Sequence, residues 1–241
     1  MTRLDVLLVS RALVPSRAQA RAAIEAGGVT VDGQVETSAS RNVADDAVMT
    51  VEAAHDYVGR GALKLAQALD LWDVPGAGRI VLDVGASTGG FTEVCLRRGA
   101  ARIHAVDVGH GQLHSRVAAD PRVVNLERTD ARMLDTTVMP EAPGLIVCDA
   151  SFISLTKVLP AALALAAPDA DLVTLVTPQF EMKSRADVGR GGVVRDEVAR
   201  AAALARVIAW LEGEGWRVLA TADSPITGRD GNREYLLHAR R

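Results

Sequence analysis

Lysine is almost missing from this chain. Of 241 residues only Lys64, Lys157 and Lys183 are lysines, so the 27 basic side chains are nearly all arginine. They stand against 30 acidic ones, and the formal net charge is -3. Bulk charge therefore gives no support for nucleic-acid binding, and a basic footprint must be local. Aromatic residues are only 3%, which excludes base stacking as the main mode of any such recognition. There are two cysteines, Cys95 and Cys148, both inside apolar runs. They read as reduced core thiols of a cytoplasmic protein, not as a disulfide or a metal pair. No long hydrophobic run is present. The most apolar stretch, "VLPAALALAAPDADLVTLV", is interrupted by Pro168, Asp169 and Asp171, which argues against a membrane span. The opening "MTRLDVLLVSRALVPSR" lacks the apolar core of a signal peptide.

What is present is enough for a packed core, at 49% hydrophobic residues. The pattern changes near Val58. Before it, Leu4, Leu7, Leu8 and Leu13 have helical spacing, and a second helix starts at Ser16 and stops at Gly27-Gly28. Asp32-Gly33 separates two short strand-like pieces and predicts a hairpin, followed by a strand in "AVMTVEA". From Gly59 onward strands and helices alternate. Strands are expected in "RIVLDVG", "RIHAVDVG", "VVNLE", "GLIVCDA" and "DLVTLVT". Helices are expected in "GFTEVCLRRG", "SLTKVLPAALALA" and "RDEVARAAALARVIAWLEGEG". This alternation predicts an α/β fold, a Rossmann-like doubly wound sheet. Its last two strands should form an antiparallel hairpin at one edge.

The segment "DVGASTGGF" carries glycines at 85, 89 and 90 after a strand. It is not G-x-G-x-x-G, and there is no G-x-x-x-x-G-K-[ST], so dinucleotide and nucleoside-triphosphate readings are demoted. Asp107 ends the next strand, 22 residues after Gly85, where a carboxylate can accept both hydroxyls of a ribose. No basic residue lies in the turn to meet phosphates. A nucleoside without phosphates fits better, and S-adenosylmethionine is the common one.

These residues also carry a family resemblance. "RLDVLLVSRALVPSRAQARAAIEAGGVTVDG" resembles the small RNA-binding module named after ribosomal protein S-four. "YVGRGALKL", "LDVGASTGGFTEVCLRRGA", "AVDVGHGQL", "DASFISL", "PQFE" and "SPITGRDGNREYLLHAR" resemble the TlyA family of FtsJ-like ribosomal-RNA ribose 2′-O-methyltransferases, often labelled haemolysins. The resemblance covers essentially the whole chain. It implies an RNA-binding module at residues 1–58, a linker at 59–64 and a methyltransferase domain at 65–241. It implies a seven-stranded sheet with Gly85, Ala86, Ser87 and Gly89 on the methionine side of the cofactor. Asp107 falls on the ribose, Asp130 near the adenine and Asp149 beside the methyl group. Asp83, Phe91, Val108 and Ala131 complete the implied cofactor site. No metal is implied.

Enzymes of this type use a Lys-Asp-Lys-Glu set to orient and deprotonate a ribose hydroxyl. The first lysine corresponds to Lys64, the aspartate to Asp149 and the glutamate to Glu234. The position of the central lysine, just before "PQFE", is Thr177. A threonine hydroxyl cannot carry the positive charge. Either Asp149, Lys64 and Glu234 suffice, or Lys183 substitutes, or the chain is a weak or inactive relative that binds RNA and cofactor. Membrane lysis is a further alternative, opposed by the missing apolar run. A pseudouridine synthase can carry the same front module, but lacks an adenosylmethionine turn.

On the RNA side, Arg17 and Arg21 share a helix face, and Arg3 and Arg11 extend it. Asp45, Asp46, Glu52 and Asp56 make the module's far side acidic. Arg60 lies in the segment joining the two parts and is a candidate for coupling RNA docking to cofactor binding. The expected partner is ribosomal RNA or a ribosomal subunit, read by shape and phosphate.

Overall fold

A computed structural model describes residues 1–25, 27–51, 56–182, 188–228 and 230–241. The chain divides into two compact units. The first is Met1–Asp56, joined by Asp230 and Gly231 of a later loop, and the second is the remainder from Tyr57.

The first unit contains β1 (Thr2–Arg3), α1 (Leu4–Ser10), α2 (Arg17–Glu25), β2 (Val29–Val31), β3 (Gln34–Val35), β4 (Asn42–Val43) and β5 (Met49–Val51). Helix α1 stops at Ser10, so Leu13 falls outside it and is exposed. Helix α2 starts where a cap was expected, with the Ser16 hydroxyl accepting the Gln19 N–H at 3.3 Å. Asp32 and Gly33 both have positive φ, 50° and 81°, the conformation that lets a two-residue turn join twisted strands. The resulting β2–β3 hairpin also pairs β2 with β5, while β1 pairs with β4 in a separate ribbon. Leu4, Leu8, Ile24 and Val29 are fully buried at the centre of a small core.

The second unit opens with α3 (Ala62–Leu71), a helix absent from the sequence expectations. Residues 59–64, expected as a linker, run into it: the Gly59 carbonyl accepts the Ala62 N–H at 3.1 Å. There follow β6 (Ile80–Val84), α4 (Gly90–Arg97), β7 (Arg102–Asp107), α5 (Ser115–Ala118), β8 (Val123–Glu127), β9 (Leu145–Cys148), α6 (Leu155–Val158), α7 (Pro160–Leu165), β10 (Asp171–Val176), α8 (Glu197–Gly213), β11 (Arg217–Asp223) and β12 (Tyr235–Arg240). The helix expected over "SLTKVLPAALALA" is two helices. Pro160 has no N–H to continue the ladder, and the chain turns at Leu159.

One seven-stranded sheet runs in the order β11-β12-β10-β9-β6-β7-β8. All neighbours are parallel except β12, which is antiparallel to both β10 and β11. The terminal hairpin is thus at one edge as expected, with β11 outermost and β12 inside. Strands β9 and β10 are buried at every residue, as strands covered on both faces must be, and β11 alternates. Leu82, Ile146 and Leu172 face the layer formed by α6, α7 and α8; Val81, Val147 and Val173 face α3 and α4. Cys148 lies in the first layer and Cys95 in the second, both as free thiols. The strand order reverses between β6 and β9. In open α/β sheets ligands bind in the crevice at the carboxyl ends of such a pair.

Candidate active site

The glycine-rich turn sits at that reversal. Gly85 has φ 84°, and a Cβ there would lie 3.1 Å from the Asp149 carbonyl oxygen and the Ala150 Cα. Glycine is therefore what lets the ends of β6 and β9 approach so closely. Gly89 caps α4 with φ 90°, and a Cβ would come within 2.7 Å of Leu113. The Asp107 carboxylate accepts the Ser87 N–H at 2.8 Å and the Gly109 N–H at 2.6 Å. Each of its oxygens keeps a lone pair for a hydroxyl. Val108 beside it is exposed, offering an apolar face, and Ala86 is buried.

Asp83 and Phe91 lie deeper. Phe91 is packed in the layer under α3 and α4. Asp83 is fully buried, with one oxygen taking the Thr92 hydroxyl at 2.6 Å and the other without a hydrogen-bond partner. Burial pushes its carboxyl up to about 7, against the Thr92 hydrogen bond. Asp130 caps the short turn Ala131–Met133 and holds the Arg132 guanidinium at 2.6 Å, so its carboxylate is already engaged. Ala131 is buried behind it.

Four residues distant in sequence meet next to the turn. Lys64 comes from the first turn of α3, Asp149 from the end of β9, and Thr177 from the end of β10. Glu234 precedes β12, whose antiparallel direction brings its amino end to the carboxyl ends of its neighbours. The Lys64 Nζ is 2.5 Å from Glu234 Oε2 and 3.7 Å from Asp149 Oδ2. The Thr177 hydroxyl donates to Glu234 Oε1 at 3.4 Å. Burial pulls the Lys64 pKa down, but the Asp149 and Glu234 carboxylates outweigh it and hold the ammonium above its ordinary value. The Glu234 carboxyl is raised by burial, partly offset by Lys64. Lys64 is thus a fixed cation and hydrogen-bond donor at neutral pH, not a base. Asp149 has the most exposed side chain of the three charged groups, so an incoming hydroxyl would meet it first. Lys183, the other candidate cation, and Glu52 lie outside the described residues.

Two residues escaped the sequence reading although their motifs were noticed. Phe152, in "DASFISL", is 88% exposed with φ 68°, and its ring lies 5.5 Å from Phe180 of "PQFE". Glu181, the last residue of that motif, accepts the Ser154 hydroxyl at 2.6 Å and the Leu155 N–H at 2.8 Å. The "PQFE" segment therefore supports the loop that carries Asp149. The signal was the pairing of two motifs, which no periodicity reveals.

The candidate RNA residues separate. Arg3, Arg17 and Arg21 converge on Asp5. Arg11 instead donates to the carbonyls of Asp45 and Ala47, and Arg60 to that of Thr227. Asp45 pairs with the terminal amine at 3.1 Å.

Comparison with known proteins accords with this geometry. Residues 57–241 match the family described as FtsJ-like methyltransferase, and residues 2–48 match the S4 domain. The 16S/23S rRNA (cytidine-2'-O)-methyltransferase TlyA of Mycobacterium tuberculosis (strain ATCC 25618 / H37Rv) is 46% identical over 240 residues, 99% of this chain and 89% of the relative. Hemolysin A of Brachyspira hyodysenteriae is 38% identical over 98% of each chain. A solved structure from Streptococcus thermophilus, provisionally described as a hemolysin, matches with a TM-score of 0.78 at 34% identity, covering 100% of this chain and 88% of that one. With matches running nearly end to end, and with both of its parts recognised, the chain belongs to the TlyA family of FtsJ-like methyltransferases that carry an S4 domain.

Proposed function

We propose that this protein transfers a methyl group from S-adenosylmethionine to a ribose 2′-hydroxyl of ribosomal RNA, as part of a ribosomal subunit. Residues 1–56 would hold the RNA, and the part from Tyr57 onward, Lys64 included, would carry the chemistry. The observation that carries the reading is the Lys64–Glu234–Asp149 cluster opening beside the Gly85 turn.

The residues fit the cofactor. The turn has no cation for phosphate, Asp107 has spare acceptors for a ribose, and Val108 offers an apolar face for an adenine. S-adenosylmethionine supplies an activated methyl on a sulfonium. This chain's residues then have to align and deprotonate a weak nucleophile. Asp149 would accept a hydrogen bond from the hydroxyl, orienting it, and would receive its proton when the methyl leaves the sulfonium sulfur. Lys64 fixes the Asp149 carboxylate and offsets negative charge on the oxygen. Glu234 holds Lys64 in place, with Thr177 as its second neighbour. Thr177 cannot act as a base, so positioning must supply much of the rate. Phe152 is a platform on which a splayed base can stack. Among the described residues no helix is long and apolar enough to cross a membrane.

The test is methyl transfer from labelled cofactor to purified unmodified ribosomal subunits, with the modified ribose mapped. Label at a defined 2′-oxygen, lost in Asp149→Ala, supports the reading. Cofactor binding without transfer to either subunit makes the chain an inactive binder and overturns it.

A further inference from the structure

An acidic side chain lies at the centre of the first unit's basic face. Asp5 stands in the first turn of α1, and its side chain is fully buried. Its Oδ1 accepts Arg3 Nε at 3.0 Å. Its Oδ2 accepts Arg3 Nη2 at 3.2 Å, Arg17 Nη2 at 2.8 Å and Arg21 Nε at 3.2 Å. The three arginines come from β1 and from successive turns of α2. Their side chains remain 43%, 52% and 53% exposed. One buried anion thus gathers three half-exposed cations, and the group faces solvent with a surplus of two positive charges.

We propose that Asp5 is a positioning residue for RNA binding, holding Arg3, Arg17 and Arg21 as one preformed face for adjacent backbone phosphates. The proposal rests on the reading that this unit grips RNA. Three guanidiniums this close repel each other, and long arginine side chains lose rotamer freedom when they dock. The carboxylate removes both obstacles before RNA arrives. Each guanidinium has five N–H donors and gives at most two to Asp5, so most remain for phosphate oxygens. Leu4 and Leu8 of α1 and Ala20 and Ile24 of α2 share a buried apolar core beside it.

The experiment uses the full chain and purified unmodified ribosomal subunits, with binding measured across salt and methyl transfer followed at varied subunit concentration. Asp5→Asn makes the protein more positive, so simple electrostatics predicts tighter binding. Preorganisation predicts the reverse: affinity falls about tenfold, KM for subunits rises alike, and kcat and cofactor affinity stay unchanged. Asp5→Ala should lose more than Asp5→Asn, which keeps one acceptor oxygen. A double Arg17→Lys/Arg21→Lys protein leaves the buried carboxylate alone and keeps every charge. It should nevertheless bind about as weakly as Arg17→Ala/Arg21→Ala, because an ammonium cannot hold Asp5 and a phosphate in one fork. Unchanged or tighter binding by Asp5→Asn, or full binding by the lysine double variant, overturns the proposal while leaving the RNA reading intact. Full binding by the alanine double variant overturns the RNA reading of this face and the proposal with it.

Discussion

The two units use ion clusters of opposite composition. In the first, one buried acid, Asp5, holds three half-exposed arginines. In the second, one buried lysine, Lys64, lies between two acids, and Asp149 is the more open of them. In the first the buried acid organises outward-facing cations; in the second Lys64 and Glu234 are both buried and Asp149 alone is partly open. The outward sign suits the task in view: cations for a phosphodiester backbone, a carboxylate for a hydroxyl proton. A third cluster gives the contrast. Asp171, at the amino end of β10, is fully buried among Arg79 at 2.6 Å, His238 at 2.8 Å and Arg240 at 3.0 Å. It lies at the far end of the strands from the Gly85 turn, so a structural role suffices for it.

Breaking the outward group of the second cluster should have the largest effect. Asp149→Ala should slow methyl transfer by about 10²- to 10⁴-fold, the usual worth of a positioned proton acceptor, with the melting temperature little changed. Single-turnover transfer to unmodified subunits measures it, and a loss below tenfold would remove Asp149 as the acceptor. Breaking the structural cluster should cost stability instead. Asp171→Asn should destabilise by about 3–5 kcal/mol, because it strips the charge that compensates partly buried cations. Denaturant titration checks this, and a normal midpoint would show the cluster to be dispensable.

Two substitutions sharpen the comparison. Phe152→Ala should raise KM for subunits by about tenfold, as expected for one lost base stack, with cofactor affinity unchanged. If kcat alone falls, Phe152 acts on the chemistry and not on substrate docking. Thr177→Lys places a second cation beside Glu234 and should raise the transfer rate by about tenfold if deprotonation limits it. An unaltered rate would mean that Asp149, Lys64 and Glu234 suffice.

The smallest effect concerns pH. Asp83 is raised to about 7 by burial, so the folded chain holds this proton more tightly than the unfolded chain does. Stability from this group is complete below about pH 4, where the unfolded carboxyl also keeps its proton, and is lost as pH rises towards 7. Asp83→Asn should flatten that part of the stability curve, as thermal melts from pH 4 to 8 would reveal. Asp5 and Asp171 work in the opposite direction. Hydrogen bonds from Arg3, Arg17 and Arg21, and from His238, Arg240 and Arg79, hold the two carboxyls far below the usual range, and their stabilisation is lost only as acid approaches those low values.

Much of this architecture was legible in the chain because its signals are local. Asp32-Gly33 adopts the two positive φ values of the expected turn, and α8, Glu197–Gly213, lies within the long helix expected there. The unread elements are short or disguised. Strands β1 and β4 have two residues each, too few for any alternation to show. Helix α3 begins directly after two glycines that suggested a hinge, and Pro160 divides a run whose apolar spacing looked continuous. In the site, Lys64, Asp149, Thr177 and Glu234 were legible only through motif resemblance. Glu181 was missed because its partner, Ser154, is 27 residues away.

By itself the sequence determined the α/β alternation, the flexible turn at Gly85, and the absence of any basic residue there to receive a phosphate. These depend on steric rules and side-chain chemistry that act within a few residues. Only the tertiary structure decided which groups of each cluster are buried. Burial and pairing follow from where β1, α1 and α2, or α3, β9 and β12, meet in space. Arg17 and Arg21, which share a helix face, thus prove to be partners of a hidden aspartate, and Lys64 proves to be a cation held charged by its neighbours.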